Sequence, residues 1–296
     1  MNIRSVITLL FFTLSFSASL PAQKNLRSDE SDEQESRITR WNYGINVGIY
    51  HANGYTANFY NGSPENDNSV NFVMSNKYWY QEIKTLLGAA DTVIVREYPM
   101  NMHYNVAVLA GLFVRYNFNR NYGICLDANY TQLKTESSVT FEVDPQSYTF
   151  DDIRLIPVRG IERRAHLDLM VQRNFWLRSR IYFYLQGGLN LNYTRVAKSS
   201  IYVEEKEYSM VNIYGSQGYN PNSQQVYPVI QGGIGYGAVL GGGVGIPLVE
   251  YLGIEPGGFV NYHNVHLEGY PKFRVSFGFY LRILLGNILP VSEEEE

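Results

Sequence analysis

His166 and Asp168 stand two positions apart, a spacing that puts both side chains on one face of an extended chain and sets an imidazole beside a carboxylate as an acid/base pair. His263 and His266 offer imidazoles to a metal, but three positions apart on a continuous strand they point to opposite faces. No Ser or Cys is spaced with His166 and Asp168, and the single cysteine, Cys125, lies far from both in sequence. A larger set has a different character: Arg115, Asp127, Arg164, His166, Asp168, Glu255, His263, Arg274 and Arg282 fall on the polar faces of segments read below as strands. Opposite charges interleaved in this way suit a closed interior, because a charge removed from water must be paired. A structural ion network is therefore expected rather than a reaction centre, with no catalytic residue, no metal site and no cofactor.

The elements that hold these residues repeat with a period of two. In 273–283, Phe273, Val275, Phe277, Phe279, Leu281 and Ile283 oppose Arg274, Ser276, Gly278, Tyr280 and Arg282. Successive side chains of an extended chain alternate faces, so this is a strand. The same alternation runs through 122–133, 164–176 and 180–195, and weaker versions cover 41–51, 104–118, 229–246 and 251–266, which makes eight strands. Short connections at 119–121, 177–179 and 247–250 alternate with longer ones at 52–103, 136–162, 197–228 and 267–272. That asymmetry belongs to membrane barrels with tight turns on one side and long loops on the other. The reading is an all-β, eight-stranded, antiparallel up-and-down transmembrane barrel with a short helix in its first long loop. The helix is expected over 78–87, with Gly88 as its terminator and Tyr78, Trp79, Ile83 and Leu86 as an apolar surface for a membrane-protein partner.

Alternation alone does not say which face meets water. The polar faces carry Tyr, Asn, Gln, Gly and isolated Arg with almost no Lys or Glu, unlike a solvated exterior. Aromatics gather where the apolar faces end: Trp41, Phe118, Tyr122, Phe175 and Trp176 at the short-turn ends, and Tyr130, Tyr193, Tyr262 and Phe273 at the others. Trp and Tyr favour membrane interfaces, where an apolar ring meets a polar tip. The glycines at 233, 235, 237, 241, 243 and 245 share one face, leaving a bare inner wall against which large lumen groups fit. Their spacing does not lead from a strand into a helix, so a dinucleotide loop is not indicated.

Composition agrees. One cysteine rules out a disulfide framework, a net charge of −4 gives no footprint for nucleic acid, and 25 Tyr with 15 Phe exclude low-complexity disorder. Residues 1–22 combine Arg4, a short apolar run and Pro21-Ala22, as an export signal does. Residues 23–38 read as a polar linker, 39–287 as the barrel with its 52–103 extracellular loop, and 288–296 as an acidic periplasmic tail.

The blocks from Leu112 to Ile124 (LFVRYNFNRNYGI), Phe183 to Tyr193 (FYLQGGLNLNY) and Gly241 to Leu248 (GGGVGIPL) resemble the PorT-like outer membrane β-barrel domain family. Where that family shows an acidic-Ile-Pro step early in the fourth strand, this chain has Leu167-Asp168-Leu169-Met170. The resemblance implies a location in the cell outer membrane among its lipids, and one founding member is associated with type IX protein secretion. It implies no site residue. The functional expectation is a non-enzymatic scaffold or accessory subunit, in secretion or envelope assembly, that presents its loops to a partner. The alternatives are a small pore or a lipid-modifying enzyme, the latter drawing on His51, His103, Ser137, Ser138 and Asp144 at the loop end.

Overall fold

The computed structural model describes residues 41–144, 152–177, 181–211, 230–249 and 251–286. The expected export signal and linker (1–38) and the acidic tail (288–296) lie outside them.

Ten strands are present among the described residues: β1 (Trp41–His51), β2 (Val93–Glu97), β3 (Ala107–Asn117), β4 (Tyr122–Val143), β5 (Asp152–Trp176), β6 (Tyr182–Val203), β7 (Lys206–Ser209), β8 (Gly232–Val249), β9 (Leu252–His263) and β10 (Arg274–Leu285). Eight of them form a closed antiparallel ring in the order β1-β3-β4-β5-β6-β8-β9-β10. The last strand pairs back onto the first from Tyr43↔Leu285 to His51↔Phe277, so the ring has no free edge. Strands β2 and β7 stand outside it, paired with β4 and β6. The short-turn end is closed locally, for example by the Phe118 N–H donating to the Tyr122 carbonyl at 2.9 Å.

Both faces of the wall change polarity at one level. Up to that level, outward positions are apolar and exposed: Leu126, Leu169 and Leu189 stand side by side in register, as do Ala128, Leu167 and Leu191. On β5 the apolar band runs from Ala165 to Phe175, about 25 Å at ~3.3 Å per residue and a ~40° tilt, the height of a membrane barrel's hydrocarbon belt. The expected girdle residues Trp41, Phe118, Tyr122, Phe175, Tyr130, Tyr193 and Tyr262 are all exposed, and Trp176 is half-buried beneath the Arg120 guanidinium, 4.6 Å from its ring. Inside the same band the wall is buried and largely polar, with a small apolar cluster at Cys125, Met170 and Val239.

Above Tyr130, Ala165 and Tyr193 the outward residues become Gln132, Arg163 and Arg195, while the inward ones become Leu133, Val139, Phe141, Val158, Ile201 and Val203. Here the three long strands leave the apolar band and behave like the sheet of a water-soluble domain. The expected loops 136–162 and 197–228 are therefore largely strand as far as they are described, β4 continuing to Val143 and β6 to Val203. Sequence alternation loses its phase here for a physical reason. One extra residue, Ala197, bulges from β6 between the pairs Glu162↔Val196 and Ile161↔Lys198, and the inward set passes from Thr194 to Ser199, Ile201 and Val203.

The first long loop caps this upper core. A 3-10 helix (Gly54–Tyr60) is followed by α1 (Val70–Ser75) and α2 (Lys77–Leu87). The side chain of Asn76 accepts from the backbone N–H groups of Tyr78 and Trp79 at the start of α2, and Gly88 ends it at φ 66°, a left-handed conformation that glycine adopts without strain. The partner surface expected on α2 is corrected by its packing. Ile83 is fully buried, Leu86 packs on the same core, and Trp79 meets the Tyr208 ring edge-on at 6.0 Å. An amphipathic helix buries its apolar stripe on the nearest core, here the barrel's own upper chamber. Of the four residues only Tyr78, 88% exposed, faces away.

Candidate functional site: the charged lumen

Three charge- or histidine-bearing tiers cross the ring, above buried amides at Asn42, Gln172 and Asn174 nearer the short turns. The lowest joins six strands. Arg115 on β3 donates from Nη1 to Glu255 Oε1 on β9 at 2.7 Å, and Arg282 on β10 donates to Glu255 Oε2 at 3.1 Å and to Asp127 Oδ2 on β4 at 2.6 Å. Arg282 Nε also donates to Asn46 on β1 at 3.1 Å, and Tyr182 on β6 donates its hydroxyl to Glu255. Every member is buried, and two guanidiniums balance two carboxylates. The Arg282 guanidinium lies 4.3 Å from the centre of the Phe113 ring, which covers a face that no acceptor occupies.

The middle tier holds the His166–Asp168 pair. Neither bonds the other. Asp168 accepts from Asn190 Nδ2 at 2.5 Å, Asn190 Oδ1 lies 3.0 Å from His263 Nδ1, and His263 Nε2 lies 3.5 Å from the Ser276 hydroxyl. His166 stacks on His263 at 5.7 Å and 8°. The order serine, imidazole, amide, carboxylate has the look of a proton relay, and period-two reading did not assemble it, since its members come from four strands. His263 and Ser276 are each 1% exposed, and the backbone N–H of Asn53 covers the serine oxygen at 3.3 Å. A substrate from solvent or lipid does not reach that oxygen, so the row acts as a cross-barrel tie.

The top tier was not anticipated as a unit. Glu162, absent from the expected network, pairs with Arg164 and accepts from Tyr60 at 3.0 Å and Tyr104 at 2.6 Å, both contributed by the cap. Arg164 also donates to Thr56 at 3.0 Å. Burial together with the Glu162 charge holds both phenols well above their ordinary pKa, so they stay protonated and remain donors. Gly160 makes the approach feasible, because a Cβ there would collide with the Tyr60 ring. The signal missed in sequence was the capping tyrosines, which lie 58 and 102 positions from Glu162.

Arg274, expected in this network, is a correction. It shares the lumen phase but sits at the rim, exposed, with its guanidinium 4.6 Å from the Tyr55 ring of the cap. Its register partner His263 is buried, but from the first residue of β10 the long arginine side chain reaches out to the cap, so phase alone does not bury it. The glycine wall of β8 is filled by neighbours: a Cβ at Gly245 would overlap the Tyr182 ring, one at Gly243 the Tyr184 hydroxyl, and one at Gly237 His263. The loop-end set proposed for lipid chemistry is not drawn together. His51 faces outward against Phe277 at 4.9 Å, and His103 Nδ1 meets the Asn101 carbonyl at 2.7 Å.

No family model matches the chain, the PorT-like one included, and no curated protein matches it. Among solved structures it is similar to the outer membrane protein OprG from Pseudomonas aeruginosa, at 11% identity over 85% of this chain and 96% of that one, with a TM-score of 0.40. Neisserial surface protein A is similar at 10% identity over 83% and 96%, TM-score 0.36. Ail, the attachment invasion locus protein of Yersinia pestis, is similar at 10% over 84% and 99%, TM-score 0.32. What defines the class is the ring closure between β1 and β10 together with the exposed apolar belt. The chain is an eight-stranded transmembrane β-barrel.

Proposed function

We propose that this barrel resides in an outer membrane, with its short turns toward the periplasm and its capped end outside, and that it is a non-enzymatic scaffold rather than a pore. One observation carries the reading: Asp127, Arg282, Glu255 and Arg115 form an alternating chain of charge from wall to wall. An eight-stranded barrel has interior room for side chains only, and these side chains are bonded to each other. Above them the chamber is filled by Phe59, Tyr60, Val70, Val73 and Ile83 from the loop. Such a barrel offers a rigid platform and a structured external cap. Its partner surface is the outer side of that cap, where Tyr78 and Met100 are exposed, rather than the buried stripe of α2.

Reconstitution in planar bilayers tests the sealed lumen: no steady conductance is expected, and ohmic channels of uniform size would refute it. Affinity purification from native membranes in mild detergent tests the scaffold role. A partner lost on Tyr78→Ala supports the cap as its dock, and recovery of the barrel alone argues against a complex.

A further inference from the structure

The outward face of β4, β5 and β6 carries a groove at the level where the wall changes polarity. Its volume is about 460 Å³, within the ~300–1,000 Å³ of ligand sites. Its floor is Ala165, which pairs in register with Tyr130 on one side and Tyr193 on the other, so a methyl group lies between two phenol rings. Ala128, Leu167, Leu191 and Ile234 continue the groove. It therefore opens within the apolar belt, just below the belt's upper edge.

Directly above the floor stand two arginines. Arg163, two positions before Ala165, lies on the same face of β5, and its register partner on β6 is Arg195. Like charges directly opposite on one face of a sheet destabilise it. Lys134 adds a third cation one step higher on β4. All three are exposed, and none makes an ion pair among the described residues. The neighbouring outward carboxylates are engaged elsewhere, Glu136 with Arg159 at 3.1 Å and Glu207 with Lys198 at 2.7 Å. An unneutralised cluster thus crowns an apolar groove at a membrane interface.

We propose that this face binds a phosphate-bearing lipid of the surrounding leaflet, with an acyl chain lying over Ala165 between Tyr130 and Tyr193 and the phosphate bridging Arg163 and Arg195 beneath Lys134. Guanidinium groups bind phosphate through paired charge-assisted hydrogen bonds, and the bound anion relieves the Arg163–Arg195 repulsion. The inference rests on the transmembrane orientation and is independent of the scaffold role.

The test is native mass spectrometry of the refolded full-length barrel in dodecylmaltoside with diphosphoryl lipid A as the probe, alongside the same lipid stripped of phosphate. Arg163→Gln with Arg195→Gln, and separately Ala165→Leu to fill the floor, should each weaken lipid retention by roughly ten-fold or more, the scale of one or two charge-assisted contacts. Inorganic phosphate alone should not displace the lipid. Heat-modifiable migration on gels verifies that each variant folds, and both changes are on the surface. Equal retention by wild type and both variants, equal binding of the phosphate-free lipid, or displacement by inorganic phosphate would each overturn the proposal. Failure of the orientation itself reads differently: the wild-type barrel would then stay monodisperse after detergent removal.

Discussion

Arg282 and Glu255 are register partners on neighbouring strands β10 and β9, and their side chains meet at 3.1 Å with neither reaching solvent. Each has a second partner of opposite charge, Asp127 for the arginine and Arg115 for the glutamate, so no member of the row is left with an unpaired charge. Placed inside a membrane belt, this row ties β3, β4, β9 and β10 at one level.

Removing one member exposes the cost of the others. Arg282→Met should destabilise the barrel by roughly 3–5 kcal/mol, because among the described residues Asp127 loses its one ion pair and Glu255 one of two. Urea unfolding in lipid vesicles, followed by the gel shift of folded barrel, measures it. Adding Asp127→Asn should cost less than the sum of the two single changes, and strict additivity would contradict the coupled row.

The outward belt is tested at Leu169, near the middle of the apolar stretch on β5, with Leu126 and Leu189 beside it. Leu169→Arg should cost about 2–4 kcal/mol, as arginine does at a bilayer midplane. Arg173, which already lies on that face, is at the girdle, its guanidinium 4.9 Å from the Phe175 ring and 5.5 Å from Tyr122. Arg173→Leu should accordingly be nearly neutral in the same unfolding assay.

The glycine wall is a packing device rather than a flexible one. Gly245→Ala should destabilise because its methyl would overlap the Tyr182 ring. In a double-mutant cycle Tyr182→Ala should relieve that overlap, giving a coupling of opposite sign to the single effects. Independent, additive losses would place the glycine's importance elsewhere.

The cap is expected to respond to acid. Glu82 on α2 pairs with Lys206 and accepts from the Tyr208 hydroxyl at 2.8 Å, which joins the cap to the β6–β7 hairpin. These hydrogen bonds, Lys206 first, hold its carboxyl below the ordinary 4.5. A carboxylate with a depressed folded pKa contributes stability above its unfolded value and loses it as pH falls through the folded one. Trp79, which packs on Tyr208, should therefore report loosening below pH 4.5 by a red-shifted emission, with Trp41 and Trp176 replaced by Phe. Glu82→Gln should remove that acid transition and leave the cap loosened across the pH range.

Much of the belt was legible because a membrane wall writes its two faces as strict alternation. Phe277, Phe279 and Leu281 against Tyr280 and Arg282 need no tertiary information. The same logic failed above the belt. There the outward residues are Arg163, Arg159 and Glu136 and the inward ones Val158 and Val139, so contrast persists with its sign reversed, and the Ala197 bulge shifts its phase. A reader following apolar-outward positions sees loops where the strands continue. The helix was legible over 78–87 from its periodicity and Gly88, one residue short of its start at Lys77, yet periodicity does not say what an apolar stripe will cover.

The sequence by itself determined the strand period, the outward direction of the grease in the belt and the chemical types available to the lumen, because these depend on neighbours one and two positions away. Only the tertiary structure decided which charges meet. Glu162 takes hydroxyls from Tyr60 and Tyr104 of the cap, Arg274 escapes to the rim, and Ser276, His263, Asn190 and Asp168 line up from four strands. Ring closure and strand stagger fix those distances, and both are set by hydrogen bonds between segments as far apart in the chain as β1 and β10.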